Sequence, residues 1–511
     1  MAEPNQFIHN SNQGMNHSLN HNAEPEQFIR PYEQHNHHSH QGDQGGHNSH
    51  SHGGGGAVQN ELNHQAIGNP PKRPIQPDED EEAERLHFLK IARTYAAYSK
   101  EHIGRFVEKR LNDVSKESTA SNSTSGVVDI IALNYTARGH PGSQMGVRNG
   151  STNFQQVDKG VNERHRKILE EIGFFSRHAK IEECIRLNQQ FLNEVIRDVM
   201  HMFQDNNPLK DAVTDMDSGG DGFFKYLFSH STHQALPCMT DHEKMRTTLR
   251  QFVRDWAQEG EEERKRSYAP ILEEIGKRYG KIEDKRTVEV LVPGAGLGRL
   301  AFEVATLGYT CQGSEWSVFM LYASSFILNH TLRPKQYTIY PWATQPCNQF
   351  SQEKQCRAVQ IPDVNPRDAL AFRESELANG ATPAFSMSAG DFLEVYGNHS
   401  CQWDCVASCF FLDTARNVIE YLELMYKMLK PGGCLINLGP LLYHYTDMPG
   451  ELSIELTYDE LVLVMKKVGF EIEKVDYSLE SPYLDNQNNL LSYNYKTPLL
   501  VALKPGTTPQ L

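Results

Sequence analysis

The sequence predicts an α/β fold with a mostly parallel sheet covered by helices on both faces. Two observations lead there: strand and helix patterns alternate from Thr287 onward, and a glycine turn follows the first strand pattern. Upstream, two long amphipathic patterns predict helices. The first 78 residues predict no fold at all.

That opening arm, residues 1–78, is built from His, Asn, Gln, Gly and Ser, with too few large apolar residues to offset the entropy of ordering a chain. It is expected to be disordered. Eleven of the 23 histidines lie in it, in runs such as "HNHHSH", but without cysteine partners or regular spacing they read as low complexity before metal ligands.

The formal charge is −15 and the pI about 5.9, which argues against sequence-independent binding to nucleic acid, because no basic stripe is available to replace phosphate counterions. There is no basic-then-apolar leader and no apolar run of membrane-spanning length, so a cytoplasmic or nuclear protein without membrane contact is expected. Nine cysteines in 511 residues are too dilute for a disulfide scaffold. Cys401, Cys405 and Cys409 recur every four residues, yet the last two lie in "WDCVASCFFL", which reads as a buried strand and not as a cluster site.

After "PDEDEEAERL", Phe88, Ile91, Tyr95, Tyr98 and Phe106 share one helical face, and from Ile181 to Phe203 a second stripe carries Cys184, Leu192, Val195, Val199 and Met202. A helical domain over 79–239 is expected. The Ser/Thr/Gly/Asn-rich segment near 115–160 reads as a flexible insertion within it.

Thr240 and Glu243 have capping-box spacing, ahead of a helix that would bury Met245, Leu249, Phe252 and Trp256. Gln251 and Arg254 are i, i+3 neighbours on it and can reach one target; spacing alone favours a solvated polar face. A catalytic domain from this helix to the end, 240–511, is expected.

The strand runs are "TVEVLV", "YTCQGSEW", "FSMSAGDF", "DCVASCFFLD", "GCLINLG", "FEIEKVDY" and "PLLVAL". In "VLVPGAGLGRL" the glycines are Gly294, Gly296 and Gly298; a dinucleotide fingerprint counted from Gly294 would want its third glycine at Arg299. Glu315 closes the second run, where a carboxylate can accept from ribose hydroxyls. In "AGDF", Asp391 is set to accept from an adenine amine and Phe392 to cover the ring. A helical run from about Thr414 to Met428 leads into "LKPGG", read as a turn, and Thr457 caps a later helix that ends before Gly469.

Glycine turn, two acids and "LKPGG" together resemble the class I S-adenosylmethionine-dependent methyltransferases over about residues 285–505, which implies a Rossmann-like seven-stranded sheet and S-adenosylmethionine as methyl donor. The segments "QFVRDW", "LVPGAGLGRLAFEVATLGYTCQGSEWS", "CFFLDTARNVIEYL" and "INLGPLLYHY" narrow this to the carnosine N-methyltransferase family, whose members methylate an imidazole nitrogen of β-alanyl-histidine to give anserine.

The resemblance assigns Gln251, Arg254, Gly294, Glu315, Asp391, Phe392 and Cys409 to the cofactor, and Asp413, His444, Tyr493 and Tyr495 to substrate and catalysis. It implies a small dipeptide partner, leaves room for a homodimer, and needs no metal, since a sulfonium leaving group needs no Lewis acid. Taken singly, Asp413 could cap a helix, His444 could be a core histidine, and the tyrosines could share a face of an edge strand. Two other functions stay open: methylation of histidine side chains in proteins, and a catalytically silent scaffold. The insert from about Thr331 to Pro383 is too long for a plain loop and is expected to form part of a lid.

Overall fold

The computed structural model describes residues 79–104, 163–202, 239–376, 385–484 and 488–506. The disordered arm and the insertion near 115–160 were expected in segments outside these residues, as were Phe106 and Phe203.

The strands are β1 (Glu289–Pro293), β2 (Thr310–Glu315), β3 (Tyr337–Ile339), β4 (Val359–Ile361), β5 (Phe385–Ala389), β6 (Trp403–Cys409), β7 (Leu429–Leu438), β8 (Glu471–Asp476), β9 (Glu480–Pro482), β10 (Asn494–Lys496) and β11 (Leu499–Leu503). Seven of them form one sheet in the order β5-β2-β1-β6-β7-β11-β8. From β5 to β7 neighbours run parallel, and β11 runs antiparallel to both β7 and β8. Each predicted strand run is a strand of this sheet.

Alternation along β1 shows why the sheet is covered twice. Val290 and Val292 join Ile271, Ile275 and Ala301 in one cluster, whereas Leu291 points the other way and joins Val406, Leu422 and Leu435. Cys405 is buried in the first cluster, as a core strand residue should be.

A third cluster is built by the upstream helices. Phe88, Ile91 and Tyr95 of the Glu79–Gly104 helix meet Ile185, Leu192 and Val195 of the Phe174–Met202 helix, and both pack on Phe252 and Trp256 of the Met239–Trp256 helix. Phe319 and Phe326 of the Val318–His330 helix belong to the same cluster, so these helices are fastened to the edge of the sheet domain. The Met239–Trp256 helix starts one residue before Thr240, which therefore stands inside its first turn.

Two loops differ from expectation. "LKPGG" is no separate turn, because β7 begins at Leu429, directly after the Val418–Met428 helix, and absorbs the glycines as an irregularity with Gly432 at φ +82°. The insert after Thr331 forms the β3–β4 hairpin, whose Ile339, Val359 and Ile361 are buried with the upstream helices. Asn188 clamps it, accepting from the Tyr340 N–H at 2.7 Å and donating to the Tyr340 carbonyl at 2.9 Å. The described part of the insert is thus a wedge. Its tip reaches the C-terminal segment, where Gln349 bridges to Asn489 and the Leu490 N–H donates to the Asn348 carbonyl.

Candidate functional site

In an open α/β sheet a ligand crevice lies at the carboxyl ends of the strands where their order reverses. Here the chain runs outward from β1 through β2 to β5 and resumes with β6 on the other side, so the crevice lies above β1 and β6. Residues leaving these strands meet there.

Beyond β1 the glycine turn takes positive φ at Gly294, Gly296 and Gly298, a region that side chains with a Cβ avoid. A Cβ on Gly294 would lie 2.5 Å from the Phe411 ring, whereas one on Gly296 would meet only Gln251 and Asp255, at 3.5 and 3.6 Å. Gly294 is demanded by packing. Gly296 keeps a surface open.

Glu315, at the end of β2, folds back on this turn. It accepts from the Gly296 N–H at 2.9 Å and from the N–H groups of Trp316 and Ser317 at 2.9 and 2.8 Å. Burial pushes its carboxyl up, and the three N–H donors oppose that shift. A carboxylate offers about four acceptor sites, so hydroxyl donors can still be received.

Asp391 is the N-cap of the Phe392–Tyr396 helix, with Oδ1 accepting from the N–H groups of Leu393 and Glu394 at 2.8 and 3.3 Å. The Phe392 ring is buried edge-on against Phe411 and Tyr421. The ring is thus part of the wall of the crevice.

Gln251 and Arg254 are not on a solvated face, contrary to what spacing favoured. Gln251 leans on Gly296, and Arg254 is buried with its guanidinium over Tyr268, Phe410 and Tyr483 at 5.6, 5.2 and 4.9 Å. Its Nε lies 3.1 Å from the Glu263 carboxylate. Cys409, at the end of β6, is near the same cation, but burial dominates and pushes its thiol up to about 12, so it is an inert wall and no nucleophile.

Asp413 is no helix cap. The helix that follows is Val418–Met428, capped by Asn417, while Asp413 lies within a short 3-10 turn, Leu412–Thr414. It is 2% exposed; Oδ2 accepts from the Leu442 N–H at 3.0 Å, and Oδ1 is buried without a partner among the described residues. Burial pushes this carboxyl up, and neighbouring His444, whose own value burial lowers, pulls it back.

Tyr495 lies on β10, paired with β9 through Ser481, and its ring stands edge-on to Phe410 and Tyr483 at 6.0 and 6.1 Å. Tyr493 comes just before that strand, with its carbonyl accepting from the Tyr483 N–H at 3.2 Å. Phe410 and Tyr443, which follow β6 and β7, both hold positive φ, at 55° and 37°. Strain of this kind persists where surrounding contacts over-determine the backbone, and here the Tyr443 hydroxyl donates to the Leu456 carbonyl and accepts from its N–H.

The tertiary structure adds residues that reading the chain missed. Asp255, Glu263, Tyr268, Phe410 and Tyr483 all touch Arg254, Gln251 or the glycine turn. Asp255 stands next to Arg254 in "QFVRDW" and could have been suspected, as a carboxylate beside buried Trp256; lone Tyr483 carries no spacing signal. Among the described residues no group of three or more His, Cys, Asp or Glu could hold a metal ion, and no helix is long and apolar enough to cross a membrane.

A family model for carnosine N-methyltransferase matches residues 231–505. The carnosine N-methyltransferase of Mus musculus is 41% identical over 350 residues, covering 68% of this chain and 79% of that protein. That of Rattus norvegicus is 42% identical over 328 residues, 64% of this chain and 74% of the relative. The Drosophila melanogaster protein is 43% identical over 264 residues, 51% of this chain and 55% of its own. The matched region includes the whole sheet and every strand end around the crevice: the chain belongs to the carnosine N-methyltransferase family.

Proposed function

We propose that this chain transfers the methyl group of S-adenosylmethionine to an imidazole nitrogen of carnosine and so makes anserine. The observation that carries this is Asp413: a buried carboxylate at the mouth of β6 with one oxygen unpartnered, in a crevice that also holds a glycine turn and a buried arginine.

The residues present fit the methyl donor. Arg254 has the planar fork for its carboxylate, Glu315 has spare acceptor sites for ribose hydroxyls, and Asp391 Oδ2 with the Phe392 N–H would hold an adenine edge. Gln251 lines the open side of Gly296. When bound, the donor supplies an electrophilic methyl carbon on a sulfonium that departs as a neutral thioether.

Asp413 does the orienting. Its free Oδ1 accepts the N–H of one ring nitrogen, which fixes the tautomer and leaves the lone pair of the other nitrogen aimed at the methyl. Imidazole has an ordinary pKa near 6.5, so at neutral pH most of it needs no base before attack. As the new N–C bond forms, the ring gains positive charge, which the carboxylate stabilises; the N–H proton can then pass to Asp413, whose burial-raised value suits it to receive it. His444, whose own value burial lowers, is the ionisable neighbour of this carboxylate. Tyr483 and Tyr495 supply aromatic faces for the ring.

The proposal places the enzyme in the cytosol or nucleus, acting on small histidine-containing peptides without nucleic acid or membrane. Labelled S-adenosylmethionine with carnosine should give one methylated dipeptide, its position read by NMR. Label appearing only in protein bands from a lysate would overturn the dipeptide reading in favour of protein histidines.

A further inference from the structure

The site described so far leaves one buried ionisable group unused. Asp255 follows Arg254 and is fully buried, 0% exposed. Among the described residues it makes no ion pair with a cation; neutral donors surround it. Oδ1 accepts from the Tyr268 hydroxyl at 2.8 Å, and Oδ2 accepts from the Leu297 N–H and the Gln251 amide, both at 3.3 Å. Burying a carboxylate costs free energy that its hydrogen bonds must offset, so these three donors hold Asp255 at a defined place.

Each partner belongs to a different part of the cofactor crevice. Leu297 lies inside the glycine turn, Gln251 leans on Gly296, and the Tyr268 ring is one face of the cage around Arg254. The position is braced from behind. Arg299 donates from Nη1 to the Asp255 carbonyl at 2.9 Å and to Asp363 Oδ1 at 2.6 Å, while Arg264 donates to Asp363 Oδ2 at 2.7 Å and to the Arg254 carbonyl at 2.7 Å. This explains Arg299 at the place where a dinucleotide fingerprint would have glycine: its guanidinium, 5.0 Å from the Trp256 ring, bolts the turn to the Met239–Trp256 helix and, through Asp363, to the insert.

We propose that Asp255 is the positioning residue of the methyl-donor half-site, setting the glycine turn, Gln251 and the Arg254 cage at one spacing. This deepens the reading above and rests on it. Replacing Asp255 with Ala orphans three donors; Asn keeps one acceptor oxygen for the turn and turns an amide to Tyr268, whose hydroxyl can rotate to accept. A partial rescue by Asn is therefore expected.

The experiment is calorimetric titration of the full chain with S-adenosylhomocysteine, with melting curves and steady-state kinetics, for the wild type, Asp255→Asn, Asp255→Ala and Tyr268→Phe. Expected is a loss of affinity of about ten-fold for Asp255→Ala, less for Asp255→Asn, and a KM for the methyl donor that rises with it while KM for carnosine stays within about two-fold. Tyr268→Phe keeps the turn bonds, so it should lose less than Asp255→Ala. Should Asp255→Ala fail to fold, Asp255→Asn and Tyr268→Phe carry the test. Unchanged affinity in folded Asp255→Asn and Tyr268→Phe, with only the melting temperature lowered, would reduce Asp255 to a structural residue and overturn the proposal. A wild type that binds S-adenosylhomocysteine but ignores carnosine would sink the substrate reading and leave this one standing.

Discussion

The backbone N–H of His444 donates to the Asp413 carbonyl at 2.9 Å, and two residues earlier the Leu442 N–H donates to the Asp413 carboxylate at 3.0 Å. The segments that leave β6 and β7 are thereby stitched together across the mouth of the sheet. One carboxylate oxygen serves as the stitch; the other is buried without a partner among the described residues.

Asp413→Ala should lower kcat by about 100-fold or more, the usual scale for losing a preorganised electrostatic contact to developing charge. Affinity for S-adenosylhomocysteine should stay near that of the wild type, because in the proposed reaction Asp413 contacts the methyl acceptor. Steady-state kinetics paired with calorimetry check both halves, and equal turnover in the variant would leave Asp413 as a loop fastener only.

Glu315→Ala should do the reverse, raising KM for the methyl donor by about ten-fold or more. It removes the acceptor of three N–H groups, at Gly296, Trp316 and Ser317, so a lower melting temperature should accompany the loss. Glu315→Gln retains one acceptor oxygen and should fall between. A Glu315→Ala protein that melts and binds like the wild type would contradict the site geometry.

The glycine turn offers a contrast between neighbouring substitutions. Alanine at either Gly294 or Gly296 meets the left-handed penalty of about 1–2 kcal/mol, but only at Gly294 does the new Cβ strike a ring, 2.5 Å from Phe411. Gly294→Ala should therefore lower stability markedly, whereas Gly296→Ala should fold and lose mainly cofactor affinity. Denaturant melts and calorimetry on the two variants separate these effects.

His242 makes acid stability a test of the helical layer. It stacks on Tyr98 at 3.8 Å between ring centroids, and burial, helped by Arg246, lowers its value to about 3. A folded-state value below the unfolded one, near 6.5, means the unfolded chain binds the proton more tightly; this contribution is whole above pH 6.5 and is lost as pH falls toward 3. His242→Phe keeps the stack, removes a buried Nδ1 without a partner among the described residues, and should flatten the fall in melting temperature over that window. Superimposable pH profiles for the two proteins would show that His242 does not titrate this way.

Much of the sheet was legible because its signals are local. Val290 to Val292, the apolar run from Cys405, and the turn from Gly294 to Gly298 declare strands and a ligand turn through hydrophobic pattern and glycine placement alone. Thr457 likewise caps its helix as expected, and Gly469 ends that helix at φ +120°. The start of the helix after β6 was misplaced, at Thr414 in place of Val418, because a 3-10 turn and a helix share the same residues in their first few positions.

Side-chain fate was a different matter. Spacing placed Gln251 and Arg254 on one helical face but could not say that this face is buried, since that depends on Tyr268, Phe410 and Tyr483, up to about 230 residues away in the chain. The sequence by itself determined the order of strands and helices and where the ligand turn falls, because periodicity and backbone freedom act between near neighbours. Only the tertiary structure decided that Asp413 keeps an oxygen free and that Asp255 links a helix to the glycine turn, because desolvation and hydrogen-bond partnership are set by groups that folding brings together from distant parts of the chain.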